Sequence, residues 1–264
     1  MNDLEFKIIQ IDLLKEFCKR IDKDLSDKII QLKDVEISTK NFDFYTSVSR
    51  HCIFPNRGEK LEVDSYIKHK MFNIEFKPDL VQKPNDLYNA YLFAKKNELT
   101  KTNFSEAHAL LTKHLLPKSK QGVLRTGNMI ILEHNTGRIQ YEAPIVSVMS
   151  KSHDLLWNDI ELLLKNEKLS HQEIFYYASF IHLILVNIHP FEDGNGRAGR
   201  LIEKWFIAQK LEEKAWFLQS ELYYYKHVND YYKNLNRLGI FYEQLDYSKA
   251  LPFLLMSAEA LTQK

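Results

Sequence analysis

The chain has 264 residues, 45% of them hydrophobic, enough for one large domain or two smaller ones, and its 36 lysines and arginines against 35 acidic residues leave a net charge of +1. That balance gives no general field for nucleic acid or an anionic membrane, so neither is expected as a partner, and any nucleotide has to be held by a local site. Cys18 and Cys52 are too few for a disulfide framework, and the N-terminus lacks the basic region and small-residue cleavage site of a secretory signal, which together fit a cytoplasmic protein.

The first 54 residues contain neither glycine nor proline, and Leu14, Phe17, Cys18, Ile21, Leu25 and Ile29 recur at helical spacing, which predicts one long amphipathic helix. A break follows around Pro55, Asn56 and Gly58. Pro78 and Pro84 bracket a linker before a helix over 86–97, with Leu87, Ala90, Phe93 and Ala94 on one face. A helix over 104–116 turns Ala107, Leu110, Leu111 and Leu115 inward and is closed by Pro117. Between 121 and 144, Val123, Met129, Ile130, Ile131, Ile139 and Tyr141 flank the turn signal His134-Asn135-Thr136-Gly137, which reads as a β-hairpin. A helix over 155–165 comes next. Ser170, with Glu173 three residues on, then forms a capping box in front of an apolar helix over 174–188. That stretch contains Ser179, His182 and Asn187 and falls short of the roughly 20 residues that span a bilayer, so it reads as a buried helix.

The buried helix runs into His189-Pro190-Phe191-Glu192-Asp193-Gly194-Asn195-Gly196-Arg197-Ala198-Gly199-Arg200, where three of the chain's eight glycines lie within six residues. Glycine tolerates positive φ and lets backbone approach a ligand closely, so Gly194, Asn195 and Gly196 can aim several N–H groups at one point. If 197–211 is the next helix, its N-terminus adds its dipole there, and Arg197 and Arg200 stand beside the resulting anion site. Asp193 at its rim suits Mg2+ held by one carboxylate and phosphate oxygens. His189, largely neutral at physiological pH, can take a proton from an attacking hydroxyl. The residues point to phosphoryl or nucleotidyl transfer from a Mg-nucleotide. His182 reads as a hydrogen-bonded core histidine, and the remaining histidines are scattered without zinc-ligand spacing.

This segment resembles the Fic family signature, His-x-Phe-x-Asp/Glu-Gly-Asn-Gly-Arg-x-x-Arg, with all eight defined positions present. The resemblance implies an all-α fold, a Fic-type helical bundle with one β-hairpin flap. It implies His189 as catalytic base, Phe191 packed inward, Asp193 on magnesium, Gly194, Asn195, Gly196 and Arg197 on the phosphates, and Arg200 on the γ-phosphate. ATP would be the donor of AMP to a protein hydroxyl. Intact Gly194 and Gly196 favour AMP transfer over phosphorylation. Leu124-Arg125-Thr126-Gly127-Asn128 looks like the start of the family's flap, which holds a target protein by strand addition. Tyr231-Tyr232 looks like the family's aromatic pair by the adenine, Tyr232 being the better candidate.

The expected organisation is an N-terminal helical extension over 1–85, a catalytic core over 86–240 with the flap at 121–144, and a helical tail over 241–264. Relatives with such an extension restrain themselves through a glutamate that pairs with the second motif arginine. In this frame the serine and glutamate positions of the inhibitory motif are Ile53 and Arg57, the segment 53–58 being degenerate, and no glutamate in the chain precedes glycine or asparagine. Self-inhibition is therefore expected to be absent, unless a neighbouring acid such as Glu59 substitutes by a changed loop path. The alternative reading is a nucleotide-binding regulatory protein with little or no transferase activity.

Overall fold

A computed structural model describes residues 5–21, 25–32, 78–132 and 137–261. The described residues fold as an all-α assembly with one β-hairpin, as expected. At its centre lies the helix His171–Ile188, designated α6 below, which is buried along its length from Ile174 onward. A helix that is apolar on every side is satisfied only when packed all round, and this one is packed by its neighbours. They are α1 (Leu14–Arg20), α5 (Val146–Lys165), α7 (Asn195–Leu211) and α10 (Leu251–Glu259). Its polar members are each paired: Ser179 with the Ser257 hydroxyl at 2.6 Å, Asn187 donating to the Tyr247 hydroxyl at 3.3 Å, and His182 with Glu203. The capping box forms as read, Ser170 Oγ accepting from the Glu173 N–H and the Glu173 carboxylate accepting from the Ser170 N–H at 2.8 Å.

Several boundaries differ from the sequence reading. The single N-terminal helix is two, α1 and α2 (Leu25–Ile30), because Ile21 turns extended at φ −91°, ψ 138°. Phe17, Ile21, Leu25 and Ile29 are all buried, so the apolar set is the one expected while two short helices carry it. The linker bracketed by Pro78 and Pro84 is instead the start of α3 (Pro78–Lys96), with Pro84 buried inside it. Proline in a helix forfeits a hydrogen bond, and here the burial of Leu87, Ala90, Tyr91 and Ala94 on one face outweighs that loss. The next helix, α4 (Lys101–Leu111), starts at the cap Thr100 and ends early at Thr112, whose hydroxyl donates to the His108 carbonyl at 2.7 Å. Helix α5 begins nine residues ahead of expectation, straight after Pro144, and α7 begins two residues ahead.

In the hairpin, β1 (Ile130–Leu132) pairs antiparallel with β2 (Ile139–Glu142) in the register Ile131 to Tyr141, with a bulge after Ile131. Most of its expected turn, His134 to Thr136, lies outside the described residues. Glu142 N–H donates to the Ile240 carbonyl at 2.7 Å, so β2 has a further partner on its other edge. The Tyr141 hydroxyl donates to the Asn187 carbonyl at 2.6 Å and ties the hairpin to the last turn of α6. Beyond α7 come α8 (Ser220–Lys226) and α9 (Val228–Asn236), which lie over α10. No helix among the described residues is long and apolar enough to cross a membrane. The expected inhibitory segment 53–58, with Ile53 and Arg57, and also Cys52 and Glu59, lie outside the described residues.

Candidate active site

Helix α6 ends at His189, its C-cap, in the left-handed conformation at φ 50°, ψ 58°. Only a few non-glycine residues adopt this backbone, and strained positions of this kind concentrate where a side chain must be aimed. The half-buried imidazole stands 3.2 Å from the Val186 carbonyl through Nδ1. A carbonyl only accepts, so Nδ1 carries the proton and Nε2 keeps its lone pair. Burial pushes this histidine down to about 4; the nearby Arg125 guanidinium lowers it further, while the Val186 hydrogen bond and Asp193 oppose the shift. The ring is therefore a neutral base with one nitrogen committed and the other open.

The loop after it is locked from inside. Phe191 is fully buried, stacked on His108 with ring centroids 3.6 Å apart and tilted against Phe104. Asn195 accepts from the Phe191 N–H through Oδ1 at 3.0 Å and donates to the Phe191 carbonyl through Nδ2 at 2.8 Å. Its side chain is thus spent on the loop, leaving only its backbone N–H for a phosphate. Gly194 sits at φ 83° as the N-cap of α7, and a Cβ there would stand 2.9 Å from Thr112 Cγ2, so both conformation and space demand glycine. The first turn of α7 then presents the N–H groups of Asn195, Gly196 and Arg197, which have no acceptor within a helix. Asp193 Oδ1 accepts the Gly194 N–H at 2.6 Å. Oδ2 makes no hydrogen bond among the described residues, which fits one carboxylate oxygen offered to a cation. No group of three or more His, Cys, Asp or Glu able to hold a metal occurs among the described residues.

Arg200 is buried at 5% exposure, one turn deeper in α7. A Cβ on Gly196 would meet its Nη1 and Nη2 at 3.6 and 3.7 Å, so the guanidinium lies against that first turn. Gly199 has a different purpose: a Cβ would approach the His182 ring to 2.5 Å, so α6 and α7 touch only because it is absent. The structure therefore brings together His189, Asp193, Gly194, Asn195, Gly196, Arg197 and Arg200 within one turn-and-helix unit. Tyr232 is on α9, 42% exposed, while its neighbour Tyr231 is turned into the core beneath it.

Two further residues hold the site, and neither was singled out as a site residue from the sequence. Arg125, 3% exposed, donates to three carbonyls: His189 at 2.8 Å, Gly127 at 2.7 Å and Pro144 at 2.6 Å. Its own N–H donates to the Pro190 carbonyl at 2.9 Å, and Leu124 bridges Phe191, so the base of the hairpin is sewn to the loop after α6. His108 accepts the Gly122 N–H through Nδ1 at 3.0 Å and donates through Nε2 to the Asp193 carbonyl at 3.0 Å. The five-residue cluster Leu124 to Asn128 was the only sequence signal for the first. For the second there was none, since 85 residues separate His108 from Asp193.

Chemically, an open imidazole nitrogen beside an anion-binding helix N-terminus with two arginines suits proton removal from a hydroxyl attacking a bound phosphate. The fold is similar to that of a Fic family protein from Desulfovibrio desulfuricans G20, with 17% identity over 98% of this chain and 74% of that one and a TM-score of 0.70. It is similar to a Fic domain containing signaling protein from Bacteroides thetaiotaomicron VPI-5482, with 18% identity, 91% and 93% coverage and a TM-score of 0.65. It is also similar to a portion of Fic-1 from C. elegans, with 17% identity, 94% and 68% coverage and a TM-score of 0.60. No curated protein sequence matches the chain. The fold, the motif at 189–200 and the match of residues 98–207 to the Fic/DOC family agree, and the chain carries a Fic/DOC-family domain.

Proposed function

We propose that the chain is a protein adenylyltransferase that moves AMP from ATP to a serine, threonine or tyrosine hydroxyl of a target protein, and of itself, in the cytoplasm. The observation that carries the reading is the neutral His189 ring, with Nδ1 committed to the Val186 carbonyl and Nε2 open beside the first turn of α7. In this scheme Nε2 takes the hydroxyl proton as the oxygen forms its bond to the α-phosphorus; the bond to the bridging oxygen breaks and pyrophosphate leaves. The N–H groups of Asn195, Gly196 and Arg197 and the Arg197 and Arg200 side chains hold the phosphates. Asp193 would hold Mg2+, which when bound neutralises phosphate charge. Tyr232 would lie by the adenine. The target segment would pair with the hairpin, whose apolar Ile130, Leu132 and Ile139 are exposed.

The test is incubation of the full chain and a cell lysate with ATP labelled at the α- or the γ-phosphate. The α-label is expected in protein bands and the γ-label is not, and His189→Ala removes the signal. Transfer of the γ-label would replace this reading with kinase activity, and no transfer of either label would remove it.

A further inference from the structure

The peptide between Asp193 and Gly194 is held from both sides. Its carbonyl accepts from His108 Nε2 at 3.0 Å, and its N–H donates to Oδ1 of the Asp193 side chain at 2.6 Å. No described peptide bond is cis, so this carbonyl and this N–H point in opposite directions, and whatever orients the first orients the second. The Asp193 carboxylate therefore takes its direction from the imidazole through one rigid plane, which leaves Oδ2 as the oxygen offered to a cation. A lock is needed here. Glycine accepts either sign of φ, so a peptide that precedes it flips at little cost. A flip at Gly194 would put the carbonyl oxygen where the N–H stands and drive the carboxylate away by repulsion.

The imidazole that supplies the lock is itself fixed. His108 is fully buried on α4, and its ring lies 15° from parallel with the Phe191 ring, centroids 3.6 Å apart. Nδ1 accepts the Gly122 N–H at 3.0 Å. That N–H reaches the ring because residue 122 is glycine: φ is 69°, and a Cβ would stand 2.4 Å from the Ser105 carbonyl oxygen. An N–H only donates and a carbonyl only accepts, so a single neutral tautomer, protonated on Nε2, satisfies both partners. We propose that His108 is a positioning residue that sets the Asp193 carboxylate for a divalent cation by holding the Asp193–Gly194 peptide against a flip. The inference rests on the assignment of Asp193 to Mg2+ in the reading above. It brings to the cation site a side chain 85 residues earlier in the chain, without making that side chain a ligand.

The test is calorimetric titration of the full chain with ATP, with and without Mg2+, the ratio of the two affinities being the readout. It uses the natural chain, His108→Gln, His108→Asn, Asp193→Ala and Asp193→Ala combined with His108→Asn, with a thermal melt of each. The glutamine amide nitrogen reaches the place of Nε2 and keeps the donor to Asp193. The asparagine amide oxygen stays at the place of Nδ1 and keeps only the acceptor for Gly122. Both variants lose the ring on Phe191. His108→Asn is expected to lower the ratio about tenfold, the size usual for a partner that orients a metal ligand, and His108→Gln by about twofold at most. In the Asp193→Ala background His108→Asn is expected to add nothing. Equal ratios in the two His108 variants, or a further loss once Asp193 is gone, overturn the proposal. A ratio that Asp193→Ala leaves unchanged removes the inference together with the Mg2+ assignment, and leaves AMP transfer to be decided by the α-label assay. If neither His108 variant folds, nitrogen-15 spectra of the histidine rings in the natural chain decide. A neutral His108 ring protonated on Nε2 is expected, and a proton on Nδ1 overturns the proposal.

Discussion

At His189 the backbone and the ring are fixed together, since the residue ends α6 in the left-handed conformation while Nδ1 donates to Val186. In the proposed reaction such a base would act on the incoming hydroxyl and leave the phosphates to other groups. His189→Ala is therefore expected to lower AMP transfer by about 10²- to 10⁴-fold while the Mg-ATP dissociation constant stays within about twofold. Calorimetry beside the transfer assay checks this, and an equal loss of binding and rate would make the residue structural. The proton equilibrium adds a second expectation. Burial, aided by Arg125, holds the imidazole down at about 4, so the base is already deprotonated at pH 6. The acidic limb of the rate profile should fall near pH 4, and a limb near 6.5 would mean the ring is solvated in the working state.

Among the elements, the N-terminal arm shows how a segment with little core of its own is tied down. The backbone N–H groups of Lys7, Ile8 and Ile9 all donate to the buried Asp159 carboxylate of α5, at 2.7, 2.8 and 2.9 Å, and the Tyr176 hydroxyl donates to the Gln10 carbonyl at 2.7 Å. Asp159→Ala leaves three donors without their acceptor and should cost about 2–4 kcal/mol in urea unfolding, with new protease cleavage near the N-terminus. A variant as stable and as resistant as the natural chain would show that the arm is held by packing alone. The elements legible in the sequence were those whose determinants are local. Ser170 and Glu173 announce α6, its apolar run announces its burial, and the glycines at 194 and 196 announce the loop that brings the candidate site together. What stayed hidden depends on partners far away in the chain. Pro84 read as a linker signal because the burial that overrides it comes from the tertiary fold. Arg125 on the His189 carbonyl, His108 on the Asp193 carbonyl and Tyr231 on His182 join residues 49 to 85 positions apart, and no spacing rule records such pairs.

Across the whole molecule, buried neutral histidines set the response to acid. His108 and His153 are each held down at about 4 by burial, against an ordinary value near 6.5, and His182 is lowered as well for the same reason. His153 accepts the Trp157 indole N–H through Nε2 at 3.0 Å, so a second ring proton would have to displace that bond, and its Nδ1 is buried without a partner. In the folded chain these rings stay neutral until about pH 4, whereas in the unfolded chain they protonate near 6.5. Stability from this source is fully present above pH 6.5 and is lost as pH falls from 6.5 to 4, by about 3 kcal/mol for each of His108 and His153. In that window each such ring contributes a slope of up to about 1.4 kcal/mol per pH unit. Replacing His153 with glutamine removes the titrating ring and keeps an acceptor for Trp157. Urea unfolding of the natural chain and of His153→Gln between pH 7 and 5 should show the variant's slope shallower by about 1 kcal/mol per pH unit. Carboxylates contribute equally to both curves and drop out of the difference. Identical slopes would mean that His153 protonates as readily folded as unfolded, and that the indole bond yields to acid without cost.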